Sequence, residues 1–274
     1  MESISAKQVY AVVVWFHPTA VEVEAIRLYR NEVAGVIVVD NSDTDNRALL
    51  ADDPSVTYMP LLQNRGIAAA LNVGCRWAQE AGAVWALTMD QDSRWDQHSV
   101  TQYIAEANRY EQLSTTAIFS PFQDCDGRPD KHHRHGRYEQ RQVVMCSGNL
   151  LRLSAWQEVN GFQETFFIDY VDDEICCHVR NRGWQVVRTN NILLSHSLGN
   201  GVQTIGATRH IYVAHPAWRY YYIARNARRM QQLYPTMRKY YAKQLRKYVK
   251  RLLLYDWNDK WNKLREFLRG LREA

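Results

Sequence analysis

The sequence predicts an α/β protein with a mostly parallel central sheet and helices on both faces. Short β-branched apolar runs alternate with segments of helical period through the first ~95 residues, the pattern of strands joined by crossover helices. Two of these runs end in polar clusters, Asp40-Asn41-Ser42 and Asp90-Gln91-Asp92. The carboxyl ends of parallel strands are where such sheets bind ligands. The 274 residues, 46% hydrophobic and 23% charged, are ordinary for a globular protein and exclude disorder, collagen-like repeats and low complexity. The length suits one large domain, or one domain with an appendage, able to bury a core without staples.

Val9–Phe16 is a continuous apolar run rich in β-branched residues, as in a strand buried on both faces. His17-Pro18-Thr19 breaks it, and Val21–Arg30 carries apolar positions at helical spacing. Gly35–Val39 and Val56–Met59 read as the next strands, Gly66–Glu80 as a helix with small residues on one side, and Val84–Met89 as a fourth strand. A helix is expected at about 96–112. Gln123–Arg137 is polar and His-rich and reads as a loop, with His132, His133 and His135 lacking the partner spacing of a zinc site. Gln140–Met145 and Asn149–Leu153 are strand candidates around Ser147-Gly148, followed by a helix at Asp172–Arg182 and a strand at Trp184–Arg188. From Ala217 onward the chain is compatible with helix throughout.

The net charge of +5 conceals an uneven distribution. Residues 237–274 hold 12 Lys/Arg against 4 Asp/Glu, whereas residues 1–236 hold 22 against 25. A mildly acidic body therefore carries a basic tail. The five cysteines show neither CxxC spacing nor a paired framework, which points to reduced thiols. Met1–Tyr10 has no apolar signal core, and the apolar stretches fall far short of the ~20 residues that cross a bilayer. A cytoplasmic protein is expected, with peripheral attachment to the inner face of the cell membrane left open.

Three constellations carry chemistry. Asp90 and Asp92, one residue apart behind a buried strand, can share a divalent cation, and their hard oxygens suit Mg²⁺ or Mn²⁺. Asn64-Arg65-Gly66 opens a helix whose free N–H groups attract anions, and Arg65 adds a guanidinium. Asp169, Asp172, Asp173 and Glu174 put four carboxylates behind the apolar run Phe166-Phe167-Ile168. Capping of a helix start accounts for some of them, and one at the edge of an apolar cleft is a candidate general base. Spacing alone does not choose among Asp169, Asp172 and Asp173.

In their order along the chain these pieces resemble the inverting glycosyltransferases of family 2, which have the GT-A fold. Trp15-Phe16-His17-Pro18, Val39-Asp40-Asn41-Ser42, Asn64-Arg65-Gly66-Ile67-Ala68 and Met89-Asp90-Gln91-Asp92-Ser93 carry the first half of the resemblance. Cys146-Ser147-Gly148-Asn149-Leu150, Asp169-Tyr170-Val171-Asp172-Asp173-Glu174, Leu194-Ser195-His196-Ser197-Leu198-Gly199 and Tyr220-Tyr221-Tyr222-Ile223-Ala224-Arg225-Asn226 carry the second. The subgroup most resembled is the bacterial rhamnosyltransferases that use dTDP-L-rhamnose for surface polysaccharides such as O-antigen.

The resemblance implies a Rossmann-like GT-A catalytic domain over 1–215 and a basic, amphipathic helical extension over 216–274. Asp40 and Asn41 would lie against the nucleotide base, and the backbone of Phe16 and His17 near base and ribose. Arg65 and Gln91 would face the nucleotide-sugar, and Asp90 the ribose or sugar. Asp92 would hold the Mg²⁺ or Mn²⁺ that bridges the diphosphate. His196 would add a metal or diphosphate contact, a buried structural histidine being the alternative. Asp172 matches the aspartate of the family's acidic general-base motif. Ser147, Gly148, Asn149, Asp169 and Asp173 would stand on the acceptor side, although a turn between strands accounts for the first three equally well. Arg219, Tyr221, Tyr222, Arg225 and Asn226 suit diphosphate or sugar faces, or pack a helix on the core. Val171 stands where many relatives have Glu, which leaves Asp169 and Asp173 as rival bases. His17 stands where many have Asn.

The expected reaction moves L-rhamnose from dTDP-L-rhamnose to a glycan or lipid-linked glycan. The same fold with a UDP-hexose donor is the enzymatic rival. A non-catalytic membrane scaffold is the other, and the intact Asp90, Asp92 and Asp172 argue against it. In the tail, Tyr241, Leu245, Tyr248, Leu252 and then Trp257, Trp261, Leu264, Leu268, Leu271 recur at amphipathic spacing among Lys and Arg. Such helices suit an anionic membrane surface, or packing on the body or on a second subunit as a homodimer. Nucleic acid is not an expected partner, since the rest of the chain is acidic and has no nucleic-acid motif.

Overall fold

The computed structural model describes residues 3–50, 53–125, 128–129, 136–196, 202–205, 210–213 and 215–274. His132, His133 and His135, and Ser197-Leu198-Gly199 of the seventh motif, lie outside them. The first half of the chain runs β1 (Val9–Trp15), α1 (Ala20–Arg27), β2 (Gly35–Asp40), β3 (Val56–Pro60), α2 (Ile67–Glu80), β4 (Trp85–Asp90), β5 (Ser93–Arg94) and α3 (Ser99–Asn108). It continues with β6 (Thr116–Cys125), β7 (Arg128–Pro129), β8 (Tyr138–Gln140), β9 (Asn149–Arg152), α4 (Leu153–Glu158), α5 (Val171–Asn181) and β10 (Gln185–His196). After a small β11 (Val202–Ile205) and β12 (His210–Val213) hairpin come α6 (Ala217–Leu233), α7 (Arg238–Leu254) and α8 (Lys260–Arg272).

The main sheet has the order β3-β2-β1-β4-β9-β6-β10-β5. From β3 to β4 it is parallel throughout, because crossover segments join those strands. Beyond β4 it is mixed: β9 enters antiparallel between β4 and β6, and β6 pairs parallel with β10. Alternate side chains of β1 serve opposite layers. Val9, Ala11, Val13 and Trp15 pack with α1 and α3, while Val12 and Val14 pack with α2, α4 and α5. Both faces of β1 are therefore covered, as its unbroken apolar run requires.

Several elements depart from the sequence expectation: β10 runs on to His196, past the strand expected at Trp184–Arg188, and Gln123–Arg137, expected as a loop, contributes the end of β6 and β7. Gln140–Met145 is a strand only to Gln140; Val143 and Val144 instead pack partly buried against the helical layer that holds α2 and α5. The ten-residue β6 has no uninterrupted strand pattern, because Pro121 sits inside it. Pro121 is tolerated where the β6–β10 register shifts, between Ser120 opposite Arg188 and Phe122 opposite Leu193.

The last three helices are joined to the body at two levels. Met230, Tyr234, Met237 and Tyr241 enter the core that contains α2 and α5. Tyr220, Ala224, Leu252 and Phe267 form a separate cluster between α6, α7 and α8. α8 crosses α6 so closely that a Cβ on Gly270 would stand 2.2 Å from the Tyr221 carbonyl oxygen. Asp256 is buried in this cluster, bonded to the Tyr220 hydroxyl at 2.5 Å and Lys263 Nζ at 2.6 Å.

Candidate active site

The candidate site lies at the carboxyl ends of β1, β2 and β4. Asp40 ends β2 and is buried, with its acceptor capacity taken up inside the protein. Its Oδ1 accepts from the Ser42 N–H (3.0 Å) and hydroxyl (2.5 Å), and its Oδ2 from Asn46 (2.8 Å) and the Tyr58 hydroxyl (2.7 Å). Burial pushes the carboxyl up, but these donors outweigh it and hold the group below its ordinary value. Asp40 thus organises the loop after β2. The Ser42 hydroxyl in turn accepts the His17 N–H at 2.7 Å, fixing a residue at φ 49°.

Gln91 closes on the end of β1 with both ends of its amide: Oε1 accepts the Phe16 N–H at 2.6 Å and Nε2 donates to the Phe16 carbonyl at 3.2 Å. The Phe16 ring is left 44% exposed at the mouth of the site. Asn41 links β2 to the next loop, accepting the Arg65 N–H at 2.8 Å and donating to Asn64 Oδ1 at 3.0 Å. The Arg65 side chain is exposed. Gly66, at φ 83°, leads into α2, and a Cβ there would stand 2.7 Å from the Phe167 carbonyl oxygen. That carbonyl accepts the Ile67 N–H at 2.7 Å, so the helix start and the acidic segment are keyed together.

Asp90 and Asp92 flank the turn from β4 to β5, and β5 pairs with the end of β10 so that Ser93 faces His196. The two carboxylates and the imidazole each offer an atom within 4.8 Å of the others. His196 Nδ1 lies 3.4 Å from Asp92 and 2.7 Å from the Ser93 hydroxyl. Ser93 meets the Ser147 hydroxyl at 2.7 Å, and Ser147 accepts the Asp90 N–H at 3.0 Å. Burial, then the charges of Asp92 and Asp172, push the Asp90 carboxyl up to about 7. Two carboxylates whose charges repel, with one imidazole beside them, are a donor set that fits Mg²⁺ or Mn²⁺.

Ser147, Gly148 and Asn149 are all buried and form the turn that the sequence offered as the alternative to an acceptor-side role. The Gly148 N–H donates to the Thr88 carbonyl at 2.7 Å and the Asn149 amide to the Met145 carbonyl at 2.8 Å. They form the turn into β9 and support Asp90 from below, with no side chain open to an acceptor.

The acidic segment has an unusual backbone. Phe167, Asp169 and Tyr170 take φ values of 63°, 62° and 63°, a region costly for residues with a Cβ. Asn226, fully buried on α6, holds them there by donating to the carbonyls of Phe166 (2.8 Å), Ile168 (2.8 Å) and Asp169 (2.9 Å). Arg225 reinforces the clamp by donating to the carbonyls of Thr165 and Phe166 and lying over the Tyr221 and Tyr222 rings. The structure thus places Arg225 and Asn226 as supports of the acidic segment. Asn226→Ala is expected to destabilise the fold by about 1–3 kcal/mol, because buried carbonyls lose their donor, and urea unfolding measures the loss.

The three rival carboxylates differ in their partners. Asp169 is paired through both oxygens with Arg219, at 2.9 Å each. Asp173 accepts the Tyr241 hydroxyl at 3.2 Å, and burial followed by the Asp172 charge pushes it well above the carboxylate range. Asp172 accepts the Asp173 N–H at 3.0 Å and is raised chiefly by burial. Its charge also contributes to raising Asp90, which puts the two carboxylates in the same neighbourhood. Sequence reasoning did not find the supporting roles of Ser93, Tyr58 and Tyr241. Ser93 adjoins Asp92 in sequence, but nothing local marked the two tyrosines.

The sequence model described as Glycosyl transferase family 2 matches residues 23–178. The chain is 31% identical over 238 residues to a Shigella flexneri protein named dTDP-rhamnosyl transferase RfbF, covering 80% of this chain and 78% of that one. Among solved structures it is similar to GalNAc-T7 with UDP, GalNAc and Mn²⁺, at a TM-score of 0.56 and 10% identity, over 69% of this chain. The match spans only 44% of that structure, and at this identity the likeness is one of fold. A family match over more than half of the chain, on a GT-A-like sheet with its acidic turn at the carboxyl end of β4, shows that the protein is a glycosyltransferase belonging to family 2.

Proposed function

We propose that the protein transfers L-rhamnose from dTDP-L-rhamnose, with inversion, to a hydroxyl of a lipid-linked glycan in bacterial surface-polysaccharide assembly. The relative's name supports the donor, and the differing surroundings of the three aspartates support the mechanism. Asp169 is held by Arg219 and Asp173 accepts from Tyr241, which supports Asp172, whose charge acts on Asp90, as the carboxylate that takes the acceptor proton. As that proton moves to Asp172, the acceptor oxygen bonds to the anomeric carbon. The bond from that carbon to the diphosphate oxygen breaks, and dTDP leaves with the electron pair. A β-linked donor thereby becomes an α-rhamnoside.

Asp92 and His196, with Asp90, would hold Mg²⁺ or Mn²⁺, which when bound neutralises the diphosphate charge. Phe16 is an exposed aromatic available to a base, and Arg65 an exposed cation after Asn64 on the loop that Asn41 holds. Asp40, Asn41 and Gln91 keep those two loops in place. In this reading residues 1–215 bear the donor site and 216–274 the helices that brace the acidic segment.

Calorimetric titration of dTDP and UDP against the protein with Mn²⁺ tests the donor. The expected result is a preference for dTDP of about tenfold or more, since UDP lacks the thymine methyl and carries an extra 2′-hydroxyl. A clear preference for UDP overturns rhamnose as the donor sugar.

A further inference from the structure

The elbow between α7 and α8 takes no part in the transfer reaction, yet it carries the most exposed tryptophans described. Trp257 is 68% and Trp261 79% exposed, beside Leu253 at 49% and Leu254 at 51%. The turn is internally fixed. The Trp257 indole donates to the Leu254 carbonyl at 3.1 Å, and Lys260 donates to the Leu253 carbonyl at 3.2 Å while lying 4.0 Å from the Trp257 ring centre. Trp257, Lys260 and Trp261 line one shallow depression. The apolar residues that the body needs, Tyr241, Leu252 and Phe267, are already buried on the inner side.

Positive charge prevails on the exposed side, where Asp259 at the elbow is an acidic minority among exposed lysines and arginines. Asp256 is buried against Lys263 and Tyr220, and Glu266 and Glu273 pair with Arg269. Lys243, Arg246, Lys247, Lys250, Arg265 and Arg272 are exposed. The outward side of the hairpin therefore combines tryptophan and leucine with a surplus of positive charge.

We propose that this elbow docks on an anionic lipid bilayer, with Trp257 and Trp261 in the headgroup interface and the flanking lysines and arginines on lipid phosphates. A second copy of the chain fits less well, because an isologous contact would set two basic surfaces against each other. The position suits a membrane-borne acceptor. Asn258, Asp259 and Lys263 share a depression with His215, Pro216 and Ala217 at the start of α6, and the next residues are exposed Trp218 and the Arg219 that pairs with Asp169. The docking itself requires no particular donor sugar.

Sedimentation of the full-length protein with vesicles of phosphatidylethanolamine and phosphatidylglycerol, against vesicles of phosphatidylcholine alone, tests the proposal. Binding to the anionic vesicles is expected, falling at least about tenfold in Trp257→Ser/Trp261→Ser and about fivefold for each of Lys247→Gln and Lys250→Gln. Lys247 and Lys250 are exposed, which predicts an unchanged melting temperature for those two variants, and dTDP affinity is expected unchanged in all of them. Wild-type protein that stays in solution with anionic vesicles, or tryptophan variants that sediment like wild type, overturn the proposal. So does a wild-type dimer in sedimentation velocity that the tryptophan pair converts to monomer, which assigns the surface to a second copy.

Discussion

Asp172→Asn is expected to lower kcat by ~10²–10⁴-fold while leaving dTDP affinity within about twofold, the effect of removing a general base from a formed site. The amide is isosteric and can still accept the Asp173 N–H, so the turn that begins α5 keeps its geometry. The pH profile gives an independent check. Asp172 must be ionised to take a proton, and burial raises its carboxyl. The acidic limb of kcat/KM should therefore lie above the ordinary carboxylate range and disappear in the variant. Stability should move the other way. A carboxyl whose pKa is raised on folding favours the fold at low pH and loses that contribution as pH rises through the raised value. At neutral pH Asp172→Asn should thus melt no lower than wild type. Transfer at the wild-type rate in this variant would falsify the assignment and return the role to Asp173, since Asp169 is held through both oxygens by Arg219.

Asp92→Asn is the second substitution with a large expected effect. The Asp90, Asp92 and His196 atoms are close enough to share an ion, and the charges of Asp92 and Asp172 add to burial in raising Asp90. Removing one charged ligand should weaken Mn²⁺-dependent dTDP binding by about 100-fold. It should also lower the Asp90 carboxyl somewhat from about 7, with burial and the Asp172 charge still holding it up. Calorimetry with and without Mn²⁺ reads the first effect without any transfer reaction. Equal stimulation of dTDP binding by Mn²⁺ in wild type and variant would remove Asp92 from the metal site.

The parts of the site readable in the sequence are those where local pattern and function coincide. β1 and β2 are apolar runs, and β4 is one but for Thr88, because both of their faces are covered, and each stops at polar residues where it leaves the sheet. Their carboxyl ends are thus marked by hydropathy alone, which made Asp40, Asn41, Asp90 and Asp92 visible. β6 was not visible, because Pro121 breaks its pattern and is accommodated only by a register shift against β10. The tail was half readable. Its periodicity announced amphipathic helices, but the same spacing serves a core and a lipid surface. Packing against α6 divides it, with Phe267 turned inward and Trp257 and Trp261 outward.

By itself the sequence determined the order of strands and helices as far as β4, the acidic turn after β4 and the carboxylate cluster that opens α5. These depend on hydrophobic period and on residues adjacent in the chain. Only the tertiary structure decided what each carboxylate is free to do. Asp169 is engaged by an arginine 50 residues away, Asp173 by a tyrosine 68 residues away, and the Asp92 turn is joined to His196 through Ser93, 103 residues before it. A carboxylate's role is set by burial and by the donors and charges around it. Here those neighbours arrive from α6, α7 and β10, at separations that no local pattern records.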